Sequence, residues 1–199
     1  MAAPLVFAVL LLAACAHTNA PAPGVPAALS TGRLLVVPRV ADVNNRAVAE
    51  RAADLLAAAL GKGSNVVSRQ RFLTETRAGA GTWAGPTLDR LERGPWPTAE
   101  EAESLARQLG IGALVTTGVS TYDQVWGKYA KFTRVAIDVD AFDLRAGNVV
   151  WRMRGRSEVE DMRGRAFEAA MQQAVGQVAS AIHPSRDISL IDLWRSWRR

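Results

Sequence analysis

Cysteine and histidine are nearly absent from this sequence, with one Cys and two His in 199 residues. A single Cys closes no internal disulfide. His17 falls in an Ala/Pro-rich stretch and His183 stands beside Pro184, so no metal cluster assembles with recognisable ligand spacing. A Ser-His-Asp set would depend on His183, which belongs to no nucleophile motif. Gly79 to Gly85 (GAGTWAG) misses the dinucleotide-binding spacing, follows no strand and opens no clear helix. The carboxylate pairs Glu100/Glu101 and Glu160/Asp161 stand at helix starts, where capping accounts for them. These absences lead us to expect a protein that is not an enzyme and holds no cofactor or metal. A long apolar run is also lacking. Leu5 to Leu12 is eight residues, against the roughly 20 needed to span a bilayer.

That short run is the length of a signal-peptide core. It leads into Leu12-Ala13-Ala14-Cys15, which resembles the lipobox of bacterial lipoproteins: a Leu, two small residues and a Cys. The resemblance implies a signal peptide over 1–14, cleavage before Cys15, and lipidation of Cys15 on its sulfur and new amino group. It gives the lone Cys a use. Two other readings stay open. Ala14-Cys15-Ala16 also suits an ordinary secretory peptidase, and the run could be a cytosolic N-terminus. Met1 to Pro4 carries no Lys or Arg, unlike the usual basic leader.

Beyond residue 14 about 185 residues remain, a size suited to one domain. Hydrophobic content of 49% and charged content of 22% are globular values. The net charge of +5 and pI near 10.1 come mostly from arginine. For an exported chain, anionic lipid, acidic polysaccharide or an acidic protein are better partners than nucleic acid. Surplus arginine for solubility explains the charge equally. Residues 15–32, with Pro21, Pro23 and Pro26, read as a short extended tether. Its reach is at most a few tens of ångströms, so the body should sit near the membrane.

The body is expected over 33–183. Arg33 to Pro38 (RLLVVP) reads as a buried strand ended by proline. A helix follows from a cap at Asn44 or Asn45 to Leu60, with Val48, Ala52, Leu55, Leu56, Ala59 and Leu60 on one face and Gly61 as its stop. Asn65 to Ser68 reads as a second strand. Gln70 to Pro97 breaks the pattern with four glycines, three prolines, Trp83 and Trp96. It is expected to be a long functional loop, with Trp83 either a contact tip or folded onto the core. Thr98 to Glu101 forms a capping box for a helix ending at Gly110, and Ile111 to Val119 suits a central strand.

Phe132 to Glu158 is the most specific stretch. Val135, Ile137, Val139 and Ala141 alternate with Arg134, Asp138 and Asp140, a period-2 strand. Arg145-Ala146-Gly147 suits a three-residue turn with Gly147 left-handed. With Leu144 facing Asn148, the register pairs Asp140 with Arg152, Asp138 with Arg154 and Arg134 with Glu158, and sets Ala141 beside Trp151 and Val139 beside Met153. A slip of one residue would destroy both faces. Asp161 is expected to open a helix to Ile182. In the tail over 184–199, Leu190, Leu193, Trp194 and Trp197 share one helical face beside Arg195, Arg198 and Arg199. Trp83, this tail and Cys15 are the candidate membrane or partner contacts.

The predicted fold class is α/β (α+β): a single domain with a mixed sheet of about five strands packed against three main helices, followed by the amphipathic tail. Leu34 to Pro38, Ala106 to Gly110 leading to Ala113–Gly118, and Asp143 to Trp151 resemble a superfamily of periplasmic bacterial lipoproteins. That superfamily includes CsgG, PelC, LpoB and the N-terminal domain of TolB. The resemblance spans roughly residues 33–182 and implies a non-enzymatic subunit or assembly factor of an envelope export system. It implies attachment to the periplasmic face of the outer membrane, since Ala16 is not the Asp that favours inner-membrane retention. Homo-oligomerisation is implied by the ring-forming PelC, the best match in size. No long strand pair is free for a CsgG-like barrel, and 16–30 looks short for an LpoB-like tether. Two alternatives remain: a regulator of a cell-wall synthase, and an acidic-polysaccharide-binding lipoprotein.

Overall fold

The computed structural model describes residues 26, 29, 32–41, 45–61, 65–79, 84–128, 130–161 and 166–182. Side chains of 77–79 and 84 are not described. The elements are β1 (Arg33–Pro38), α1 (Arg46–Leu60), β2 (Val66–Ser68), α2 (Arg69–Gly79), α3 (Ala84–Arg93), α4 (Ala99–Leu109), β3 (Ile111–Trp126), β4 (Lys131–Asp143), β5 (Asn148–Glu160) and α5 (Ala166–Ile182). One mixed sheet of order β2-β1-β3-β4-β5 carries them. β1 is parallel to both β2 and β3, while β3–β4 and β4–β5 are antiparallel.

Helices cover both faces. On one, α1 and α5 bury Ala52, Leu56, Ala170, Met171, Ala174 and Val178 against Leu34, Val36, Ala113, Val115, Ile137 and Val139. On the other, α2, α3 and α4 bury Phe72, Leu88, Leu91 and Leu105 against Leu35, Val37, Leu114 and Phe142. Leu29, within the stretch read as tether, is buried in the first cluster. The strand alternation of β4 follows: Val135, Ile137, Val139 and Ala141 face α5, and Asp138 and Asp140 face away.

Most sequence-derived elements are present, with physical reasons for the differences. The capping box holds, with Thr98 Oγ1 accepting from the Glu101 amide at 3.3 Å and Glu101 Oε2 accepting from the Thr98 amide at 2.8 Å. Gly110 closes α4 in the left-handed region at φ 64°. Asn45 occupies the N-cap of α1 without a side-chain capping bond, and Asn44 lies outside the described residues. Asp161 is not helical; α5 begins at Ala166.

The stretch expected as a loop is instead two helices, α2 and α3. Each offers only two or three apolar positions, too few for a periodic signal, and draws its burial from the sheet. Their fastening is polar. Glu92 on α3 is fully buried and takes ion pairs from Arg46 on α1, at 3.2 Å, and from Arg69 on α2. Only the removal of both arginines would leave this buried carboxylate uncompensated, a loss of about 3–5 kcal/mol. Gly94, at φ 67°, then turns the chain out of α3.

The β4–β5 register is the one read from the sequence: Asp140/Arg152, Asp138/Arg154, Arg134/Glu158, Ala141/Trp151 and Val139/Met153 are partners. Its closure differs. Asp143, not Leu144, faces Asn148, and the register shifts next to Ala141/Phe142, leaving Val150 as an extra residue on β5. This bulge offsets the longer turn, so the rungs beyond it keep their partners. Gly147 is left-handed, at φ 69°.

β5 is the outer strand, and α5 lies close to it. A Cβ on Gly155 would meet the Ala174 carbonyl oxygen at 2.2 Å. That approach lets Gln177 reach the strand edge: its Oε1 accepts from the Arg156 amide at 3.0 Å and its Nε2 donates to the Arg156 carbonyl at 2.8 Å. A side-chain amide thus sits where a neighbouring strand's peptide would, blunting the edge. Gly155→Val should force α5 outward and lower unfolding stability by about 1–3 kcal/mol, as overpacking does. Urea denaturation checks this, with a matched loss of Gln177 side-chain protection in amide exchange.

Candidate interaction surface

Two features of the antiparallel half stand out against the closed core. The first is the far end of the β3–β4 hairpin. β3 continues beyond the expected Val119 to Trp126, pairing residue for residue with Lys131–Ala136 after a register shift between Val119 and Thr121. The shift re-aims the strand, so Tyr122 comes to the α5 face, opposite Val135. Tyr122 packs edge-on against Phe167 of α5 at 4.7 Å between ring centres yet stays 48% exposed. Trp126 is 77% exposed, with the Lys131 ammonium 5.4 Å from its ring centre. The whole chain has three lysines, and two of them are here, Lys128 in the turn and Lys131 at the start of β4. An exposed indole beside an ammonium group suits an interface that is apolar on one side and anionic on the other.

The second is the opposite face of β4 and β5, where no helix among the described residues lies over the charged rungs. Arg39 reaches from the end of β1 to Asp140 Oδ2 at 2.8 Å, and Arg152 meets Asp140 Oδ1 at 3.2 Å. Arg154 grips Asp138 through Nε and through Nη2 at 3.0 Å, and Arg134 pairs with Glu158. Arg39 also lies over Trp96, 4.7 Å from its ring centre, and Trp96 stacks on Phe142 at 5.2 Å. This stack closes the α2–α4 core and marks where the open, charged face begins. An open groove of about 340 Å³ runs across that face, lined by Thr121, Arg134, Ala136, Arg154, Arg156 and Glu158.

The electrostatics follow from the pairing. The bond from Arg154 holds the Asp138 carboxyl below its ordinary value against the opposing effect of partial burial, and the same pair raises Arg154. Among the described residues, no group of three or more His, Cys, Asp or Glu is placed to hold a metal ion.

Cys15, Trp83, Leu190, Leu193, Trp194, Trp197, Arg195, Arg198 and Arg199 all lie outside the described residues, as do His17 and His183. Tyr122, Trp126 and Arg156 escaped the sequence reading. The signal for the aromatics was present in the alternation Tyr122-x-Gln124-x-Trp126, hidden because the apolar run ends at Val119.

No protein-family model matches the chain, and no curated protein matches it. Solved structures do resemble it. A PelC dodecamer from Paraburkholderia phytofirmans is 13% identical, with a TM-score of 0.48 over 75% of this chain and 85% of that one. Lipoprotein GNA1162 from Neisseria meningitidis is 20% identical, with a TM-score of 0.41 over 78% of this chain and 98% of that one. The LpoB C-terminal domain from Salmonella enterica is 18% identical, with a TM-score of 0.35 over 63% and 82%. PelC and LpoB are two of the groups to which the sequence pattern pointed. Likeness at this level says nothing of activity.

The Asp138–Arg154 pair carries a pH dependence of definite sign. Asp138 is depressed below 3.8 in the folded state, so its contribution is present above that value and is lost as pH falls through the lower, folded value. Arg154→Gln should lower stability only slightly at neutral pH, the pair being exposed. The gap between variant and parent should narrow as pH falls below that ordinary value, followed by urea denaturation at each pH.

Proposed function

We propose that this chain is a non-enzymatic envelope lipoprotein, held at the periplasmic face of the outer membrane by acylated Cys15. There it serves as a subunit or assembly factor of an export system. The observation that carries the reading is the hairpin end, where Trp126 projects beside Lys131 and above Tyr122. Docking that indole would bury on the order of 150 Å² of aromatic surface, a gain of about 3–4 kcal/mol at roughly 25 cal/mol per Å². A surface of that kind suits a lasting contact with bilayer or partner. The lipobox pattern at Cys15 supplies the attachment, and the short 15–32 segment keeps the domain near it. The Trp/Arg tail over 184–199 would reinforce that contact.

A second reading, an acidic-polysaccharide-binding lipoprotein, is favoured by the open arginine face of β5. The two are compatible in one export assembly.

Cys15→Ser should move the protein from the membrane fraction to the soluble periplasm, and mass spectrometry of native material should find acyl chains on Cys15. An unmodified thiol defeats the proposal. In the lipidated chain, Trp126→Ser should leave stability within about 0.5 kcal/mol, as surface changes do, while photo-crosslinking to lipid or envelope partners from a probe at the neighbouring, exposed Gln124 is lost. Crosslinks to a cell-wall synthase instead of export components would favour the regulatory alternative.

A further inference from the structure

The charged ladder of β4 and β5 has one rung without an acid. Asp140 faces Arg152, Asp138 faces Arg154 and Arg134 faces Glu158, and each pair is closed by an ion contact. Between the second and third of these, Ala136 stands opposite Arg156. Alanine offers a methyl where Asp138 and Asp140, further along the same face of β4, offer carboxylates. The Arg156 guanidinium is exposed and makes no ion pair among the described residues; its backbone is engaged by Gln177, and its charge acts on Asp138 without an ion contact. Asp138 and Glu158 on the adjoining rungs are already committed to Arg154 and Arg134. The missing side chain opens the floor of the groove of about 340 Å³, and its position is that of the absent carboxylate.

We propose that this empty rung binds the carboxylate of an acidic sugar, with Arg156 as the principal ligand and Arg154 and Arg134 flanking it. A guanidinium fork matches a carboxylate through two parallel hydrogen bonds. The groove's volume falls in the roughly 300–1,000 Å³ range of small-ligand clefts, more than a lone ion fills. Thr121, on the strand beside Ala136, brings a hydroxyl to the same groove. An acidic protein would need an apolar anchor at the centre of its footprint, and this face has none among the described residues. The exposed large apolar side chains, Tyr122 and Trp126, are on the α5 side of the sheet. Choosing a polysaccharide as the source of the carboxylate rests on the envelope reading; the anion site does not.

The test is calorimetric titration of the purified full chain with trigalacturonate, with neutral galactotriose and a hexa-aspartate peptide as comparators. Trigalacturonate should bind, and more weakly as salt is raised. Arg156→Gln should reduce its affinity at least tenfold, and Arg156→Lys should restore part of it. Ala136→Asp supplies the missing acid from within and should abolish binding with every arginine in place. Thermal melts establish that each variant is folded, and Arg156→Gln serves should Ala136→Asp fail to fold. Affinity unchanged in Arg156→Gln, equal binding of galactotriose, or tighter binding of hexa-aspartate would each overturn the proposal. Binding by a chain whose Cys15 proves unmodified would retain this site while removing the envelope reading, and absence of binding by an acylated chain would do the reverse.

Discussion

The pairing register of β4 with β5 is the constraint on which the antiparallel half depends. One alignment sends Val135, Ile137, Val139 and Ala141 to α5 and stacks Asp138, Asp140 and Arg134 with their opposite charges on the other side. A shift by one residue would put the charges under the helix and the aliphatic groups in water. The ion pairs themselves contribute little at such exposure; their part is to exclude other alignments. The bulge at Val150 shows how firmly that alignment is held, since the turn is longer than the shortest closure and the extra residue is absorbed locally.

β3 joins two differently built halves. Its first residues lie between parallel β1 and antiparallel β4 and are buried on both sides, whereas the last part of the strand pairs with β4 alone. The first half is fastened to the helices on its far face by packing and by Glu92, which ties α1, α2 and α3 together through Arg46 and Arg69. The second half carries exposed aromatic and charged groups. Rigid support at one end and open chemistry at the other is a workable arrangement for a protein that presents a surface.

How much of this could be read from the chain depended on whether the signal was local. The capping box at Thr98 and Glu101, the turns at Gly110 and Gly147, and the opposed faces of β4 and β5 are each specified within a few residues. α2 and α3 were not legible because Phe72, Leu88 and Leu91 gain their meaning from β1 and β3, and glycines at 79, 81 and 85 suggest a loop. The site was less legible than the fold. Arg156 looks like any other basic residue of β5 until the register sets Ala136 across from it. Trp126 lies beyond the point where apolar continuity ends.

The amide of Gln177 closes the outer edge at Arg156 by imitating a peptide group. Hydrolysis of that one amide to a carboxylate would erase its donor and set two oxygens against each other at the Arg156 carbonyl. Chemical ageing at a single side chain would therefore uncover a length of sheet margin that the fold otherwise keeps shut.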